Sequence, residues 1–151
     1  MAHPLEPLLR ENYPRIAKDL VAPLVDLLTE AQHAFGGDIE KLHILLMIAL
    51  RTAEHRGASG LDLDRVLAGE MAELPSLATN VKSLSAGSGI PEETVRRKVR
   101  ALVEDGLIRR RDHALSYTPK AVQAMEGVRR ILIRAAAQEH DAVERLLAER
   151  G

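Results

Sequence analysis

Apolar residues at Ile16, Leu20, Leu24, Leu27 and Leu28 recur close to one helical face and predict helix over 5–34. Pro14 and Pro23 interrupt that stretch. Pro23 should kink it or start a second helix, because proline removes a backbone donor and clashes one turn back. Gly36-Gly37 ends it, and Asp38 is the expected N-cap of a helix running to about residue 55, with Gly57 as its stop. In that helix Leu42, Ile44, Leu45, Leu46, Met47, Ile48, Ala49 and Leu50 wrap most of the way round. A helix apolar on nearly all sides is buried, so this one is expected to be central. Residues 57–60 read as a linker. Residues 61–74 read as a short helix with Leu63, Val66, Leu67 and Met71 inward, closed by Pro75. Thr118 and Pro119 are a strong helix start. The helix they open is expected to reach about residue 149, roughly 45 Å at 1.5 Å per residue. Its stripe is Val122, Met125, Val128, Leu132, Ala135, Val143 and Leu146.

Between these segments, residues 81–118 read as two helices, a tight turn and a hairpin. Ser83 caps the first helix and Gly89 ends it, where a sharp turn needs positive φ. Pro91 opens the second helix, with Glu92 and Glu93 suiting its dipole, and the helix runs through Asp105 to a stop at Gly106. At 100° per residue, Val95, Val99, Leu102 and Val103 share one face. Glu93, Arg97, Arg100 and Ala101 lie opposite, flanked by Arg96 and Lys98. Such a helix packs one face on a core and offers guanidinium groups outward, where Arg can pair bidentately with guanine. Glu93 is expected to pair with Arg97 one turn on. Residues 107–110 and 114–117 form two short strands with Arg111-Asp112-His113 near the tip, and Val81-Lys82 supply a third, very short strand. The tip lacks the glycine that a two-residue hairpin prefers.

Composition narrows the picture. The 151 residues contain no cysteine, which removes disulfides, thiolate metal sites and cysteine nucleophiles. Tyr13, Phe35 and Tyr117 are the whole aromatic set, too few for a β-sandwich or for base stacking on single strands. The longest strongly apolar run, 44–50, is far short of a membrane span. With no secretory pattern at the start, a cytoplasmic protein without membrane contact is the expectation. A net charge of −1 conceals a division: 1–79 balance to −5, 80–120 to +4 and 121–151 to zero. Positive charge thus collects on the helix pair and hairpin, which favours a polyanion partner. His43 and His55 stand twelve residues apart on one helix, and Glu139-His140-Asp141 point in different directions. Neither arrangement makes a metal site, so no metal and no cofactor are expected. No phosphate loop, nucleophile elbow or dinucleotide fingerprint is present, and an enzyme is not expected.

The 81–108 pattern resembles the helix-turn-helix of bacterial winged-helix transcription regulators. The resemblance rests on Leu84 and Ser85 in the first helix, Gly89 and Ile90 at the turn, and Thr94 and Val95 opening the second. It continues in the run Leu102-Val103-Glu104-Asp105-Gly106-Leu107-Ile108. The pattern is similar to regulators of the multiple-antibiotic-resistance (MarR) type, with the IclR and GntR winged helices as cousins. The family's usual alanine is here Ser85. The resemblance implies a mainly α fold: a winged helix-turn-helix core over 38–118, with dimerisation helices over 1–37 and 119–151. It implies a homodimer that binds double-stranded DNA sequence-specifically and regulates transcription, with the helix over 91–105 in the major groove. Glu93, Arg96, Arg97 and Arg100 would meet base edges. Lys82, Ser88, Arg109, Arg110 and Arg111 would meet the backbone. A small-molecule effector seated against His43 and Met47 is a further expectation. The alternative is a winged-helix adaptor that binds protein without specific DNA binding.

Overall fold

The structure is a computed structural model and describes residues 1–150. It is mainly helical with one small antiparallel hairpin. Helix α1 (Glu6–Glu11) is followed by α2 (Tyr13–Ala34). Pro14 falls in the first turn of α2, where its missing N–H has no helical partner to lose. Pro23 lies inside α2 and, contrary to the expected interruption, does not divide it. Ile16, Leu20 and Leu27 keep one phase on either side of Pro23 and are all at least partly buried, so packing holds both halves in register.

Helix α3 (Ile39–Ala53) is capped as expected: Asp38 accepts from the Lys41 N–H at 2.9 Å. Leu42, Ile44, Leu45, Ile48 and Thr52 are buried, while His43 and Leu50 are exposed, so α3 is central but not apolar all round. The expected linker is a 3₁₀ turn, Arg56–Gly60, fixed by His55 Nδ1 accepting from Gly57 N at 2.9 Å. The expected helix over 61–74 shrinks to α4 (Leu63–Leu67), capped by Asp62. Gly69 at φ 75° turns the chain out of the helical region. Val66 is buried, but Leu63, expected inward, is exposed.

Helices α5 (Val81–Ser88) and α6 (Glu92–Glu104) precede strands β1 (Ile108–Arg111) and β2 (Ala114–Tyr117). Ile108 pairs with Tyr117, Arg109 with Ser116, Arg110 with Leu115 and Arg111 with Ala114. Asp112 takes the positive φ (54°) of the two-residue turn in place of glycine, as a short polar side chain can. The third strand position is Thr79, bridged to Leu115, and not Val81-Lys82. Asn80, and not Ser83, caps α5 by accepting from Ser83 N at 2.9 Å, so Val81 and Lys82 are already helical.

The last helix is divided. Thr118 caps α7 (Pro119–Ala124), and α8 (Glu126–Ala148) begins after Met125, whose φ of −93° and ψ of 13° leave the helical region. Met125 is buried there. At Gly127 a Cβ would stand 2.1 Å from Glu30 Oε1, the movable end of a flexible side chain on α2.

The chain forms two compact units, one of residues 1–30 with 127 onward, the other of 31–126. In the first, Leu8, Ile16, Ala142 and Leu146 make a core supported by Leu5, Leu9 and Leu20. Arg15–Glu149 and Arg145–Asp19 ion pairs flank it. In the second, α3 packs on α5, α6 and β2, α6 packs on β1, and α4 packs on α7. Two ion pairs tie α6 to the start of α3: Lys98 Nζ to Asp38 at 2.5 Å and Lys41 Nζ to Asp105 at 2.7 Å.

Burial alone would raise the Asp38 carboxyl. The hydrogen bonds from Lys98 Nζ and Lys41 N and the charge of both lysines outweigh it and hold Asp38 below its ordinary value. A depressed carboxyl contributes stability above its unfolded value, about 3.9, and that contribution is lost as pH falls through the folded value. Lys98→Met is therefore expected to lower stability near pH 6, with the gap to wild type closing as pH falls below about 4. Urea unfolding across that range tests it, and a gap independent of pH contradicts it.

Thr52 is 7% exposed, and its Oγ1 has no hydrogen-bond partner among the described residues. Thr52→Val removes that unpaired hydroxyl at nearly constant shape. It is expected to raise the unfolding free energy by about 1 kcal/mol. A destabilised variant in urea unfolding would show that the hydroxyl is bonded after all.

Candidate nucleic-acid interface

The turn between α5 and α6 is closed by two serines. Gly89 ends α5 in the left-handed region at φ 74°. Ser85 Oγ donates to the Ile90 carbonyl at 2.7 Å, and Ile90 N donates to Ser88 Oγ at 3.1 Å. Ser85 thus has a use that an alanine could not fill. Ser88, expected at the DNA backbone, is half-buried with its oxygen already accepting inside the turn. At Gly87 a Cβ would stand 2.8 Å from Met47 Cε, the movable end of a flexible side chain on α3.

Helix α6 is two-faced. Val95, Val99 and Leu102 are buried, and Val103 is half-buried. Glu93, Arg97, Arg100 and Glu104 form the exposed stripe, while Ala101, expected outward, is half-buried. The ion pairing differs from the sequence expectation. Glu93 pairs with Arg96 at 2.6 Å, not with Arg97, and Arg96 also reaches Glu92 at 2.8 Å. One guanidinium bridging two carboxylates of the first turn satisfies both, and the hydrogen bond from Arg96 to Glu93 leads in raising the arginine's pKa above its ordinary value. Arg97 and Arg100 make no ion pair or side-chain hydrogen bond among the described residues. Lys98, read as a flanking residue, is the tether to Asp38.

The three hairpin arginines do not act together. β1 alternates, so Arg110 lies on the face of Ile108, and Arg109 and Arg111 lie on the other. Arg110 is exposed and donates to the Asp112 carbonyl at 3.1 Å. It helps line an open cleft of about 400 Å³ with Asn80, Val81, Lys82, Glu92, Arg96 and His113. Lys82 and Arg110 have no carboxylate partner among the described residues. The cleft thus joins the first turns of α5 and α6 to the hairpin tip, with cationic side chains in excess. Arg109 and Arg111 instead both pair with Glu73, a contact that nothing in the local sequence announces.

The effector expectation meets a different geometry. His43 is exposed, and it does not share the cleft that Met47 lines with Leu50, Arg51, Glu54, Ala78, Thr79, Ser83 and Leu84. The buried side of α3 is set by Ile44, Leu45 and Ile48, which leaves His43 facing outward. Among the described residues, no three His, Asp or Glu side chains are grouped as a metal ion needs. No helix of the described residues is long and apolar enough to cross a membrane. Comparison of the chain with protein-family models, with curated proteins and with solved structures finds no match.

Proposed function

We propose that this chain is a sequence-specific double-stranded DNA-binding regulator of transcription, acting as a homodimer through a winged helix-turn-helix. The observation that carries the reading is the exposed middle of α6. Arg97 and Arg100 stand there without partners among the described residues, opposite a wholly buried Val95–Val99–Leu102 face. A helix so held can enter a major groove with free guanidinium groups directed at base edges. The order α3, α5, glycine turn, α6 and two-stranded hairpin, with Thr79 bridged to β2, supports the winged-helix reading. The cleft with Lys82 and Arg110 is a suitable seat for backbone phosphates.

Dimerisation is supported by the first unit. Val21, Leu24, Val25 and Leu28 form an exposed apolar stripe on α2, with Leu24 60% exposed. Leu132 and Ile133 are exposed on α8. A contiguous apolar face of this kind marks an interaction site.

Selection of bound duplexes from a random pool at roughly physiological salt, followed by sequencing, tests the reading. The expected result is a palindrome with half-sites about ten base pairs apart. No enrichment from folded dimeric protein would sink it and favour the protein adaptor. Arg110→Ala is expected to weaken all duplexes alike and to shrink the salt slope by about one unit. A loss confined to the selected sequence contradicts a phosphate role for Arg110.

A further inference from the structure

The outer face of the hairpin carries two arginines that the chain itself occupies. Arg109 and Arg111 lie on one face of β1. Glu73 Oε1 meets Arg109 Nη1 and Arg111 Nη2 at once, and Arg109 Nη2 also donates to the Ala72 carbonyl at 3.3 Å. Glu73 lies between α4 and α5, where residues 68–78 form no helix or strand. It reaches the hairpin from more than 35 residues away. All three side chains are more than a third exposed, so water and solutes have access to the contact. Two guanidinium groups converging on one carboxylate oxygen are also suited to a phosphate oxygen. One carboxylate cancels half their charge, and exposed pairs of this kind hold weakly.

We propose that Glu73 is an internal stand-in for a backbone phosphate, and that the outer face of the hairpin is a second DNA-backbone surface kept masked by it. The inference rests on the DNA-binding reading and extends it. Lys82 and Arg110 form the open phosphate surface, on the other side of the hairpin, and Arg109 and Arg111 form the masked one. Glu73 therefore limits how many phosphates the protein neutralises, and so lowers affinity for every duplex without touching a base.

The test compares wild type, Glu73→Gln, the charge control Glu144→Gln, the double variant Arg109→Ala/Arg111→Ala, and the triple variant combining Glu73→Gln with both alanines. Glu144 is exposed on α8, which belongs to the other compact unit and supplies neither the cleft nor the hairpin. Each protein is titrated with the selected duplex over a range of salt. E73Q is expected to bind about threefold to tenfold tighter at low salt. Its salt slope should steepen by about one to two units. E144Q should match wild type, and the triple variant should match the double. An E73Q no tighter than E144Q, or a gain that survives in the triple variant, overturns the inference and leaves the DNA reading intact. If wild type binds no duplex, the DNA reading fails and the same proteins are run on immobilised heparin. There, later elution of E73Q than of E144Q, abolished in the triple variant, supports the masked anion surface, and co-elution removes it.

Discussion

Arg97→Ala is expected to weaken binding to the selected duplex by about 1–3 kcal/mol and to relax preference at one base step. The size follows from what the residue lacks. Arg97 is exposed, sits in the middle of α6 and has no carboxylate or carbonyl partner among the described residues. Its removal leaves nothing unpaired in the free protein, so folding stability should stay within about 0.5 kcal/mol of wild type. Arg96 is the internal comparison. It is engaged with Glu92 and Glu93, so Arg96→Ala releases two carboxylates toward the DNA and should weaken all sequences alike. Binding measured on the selected duplex and on its single-base variants separates the two. Equal losses on every variant for Arg97→Ala would reassign it to the backbone.

The largest stability effect is expected at Leu102. Its side chain is 0% exposed, on the buried face of α6. Leu102→Ala should lower the unfolding free energy by about 2–5 kcal/mol, through lost apolar burial and the cavity left behind. For a domain of this size, with about 5–15 kcal/mol in total, such a loss reaches much of the margin. Leu102→Met keeps the volume and should cost less than about 1.5 kcal/mol. Urea unfolding with an unchanged slope measures both. A loss below about 1 kcal/mol for the alanine variant would mean that the site collapses freely.

Local chemistry made several parts of this architecture legible. Gly89 takes the positive φ that its position implied, Gly106 follows the end of α6 as its expected stop, and Asp38 and Thr118 cap the helices they precede. The two faces of α6 followed from residue spacing, since Val95, Val99 and Leu102 share a phase that only a core can satisfy. Errors collected where a choice depended on residues far along the chain. The periodic stripe through Met125 could not announce a break, because Met125 is buried in the divided helix just as a continuous stripe requires. Asn80 and Ser83 are both good caps, and the bridge from Thr79 to Leu115 decided between them by fixing where the extended chain ends.

Charge was the least legible layer. A run of three arginines reads as one basic patch, yet strand alternation and Glu73 divide it into one exposed residue and two engaged ones. On α6, arginines at 96, 97 and 100 were all expected at base edges, and the fold bridges Arg96 to Glu92 and Glu93 while Arg97 and Arg100 stay unpaired among the described residues. The sequence by itself determined the main helices and the hairpin, the Asp38 and Thr118 caps and the buried side of α6, because backbone preference and helical period act over a few residues. The tertiary structure decided which charges remain available to a partner, because an ion pair forms between whatever the fold brings within about 4 Å, regardless of separation along the chain.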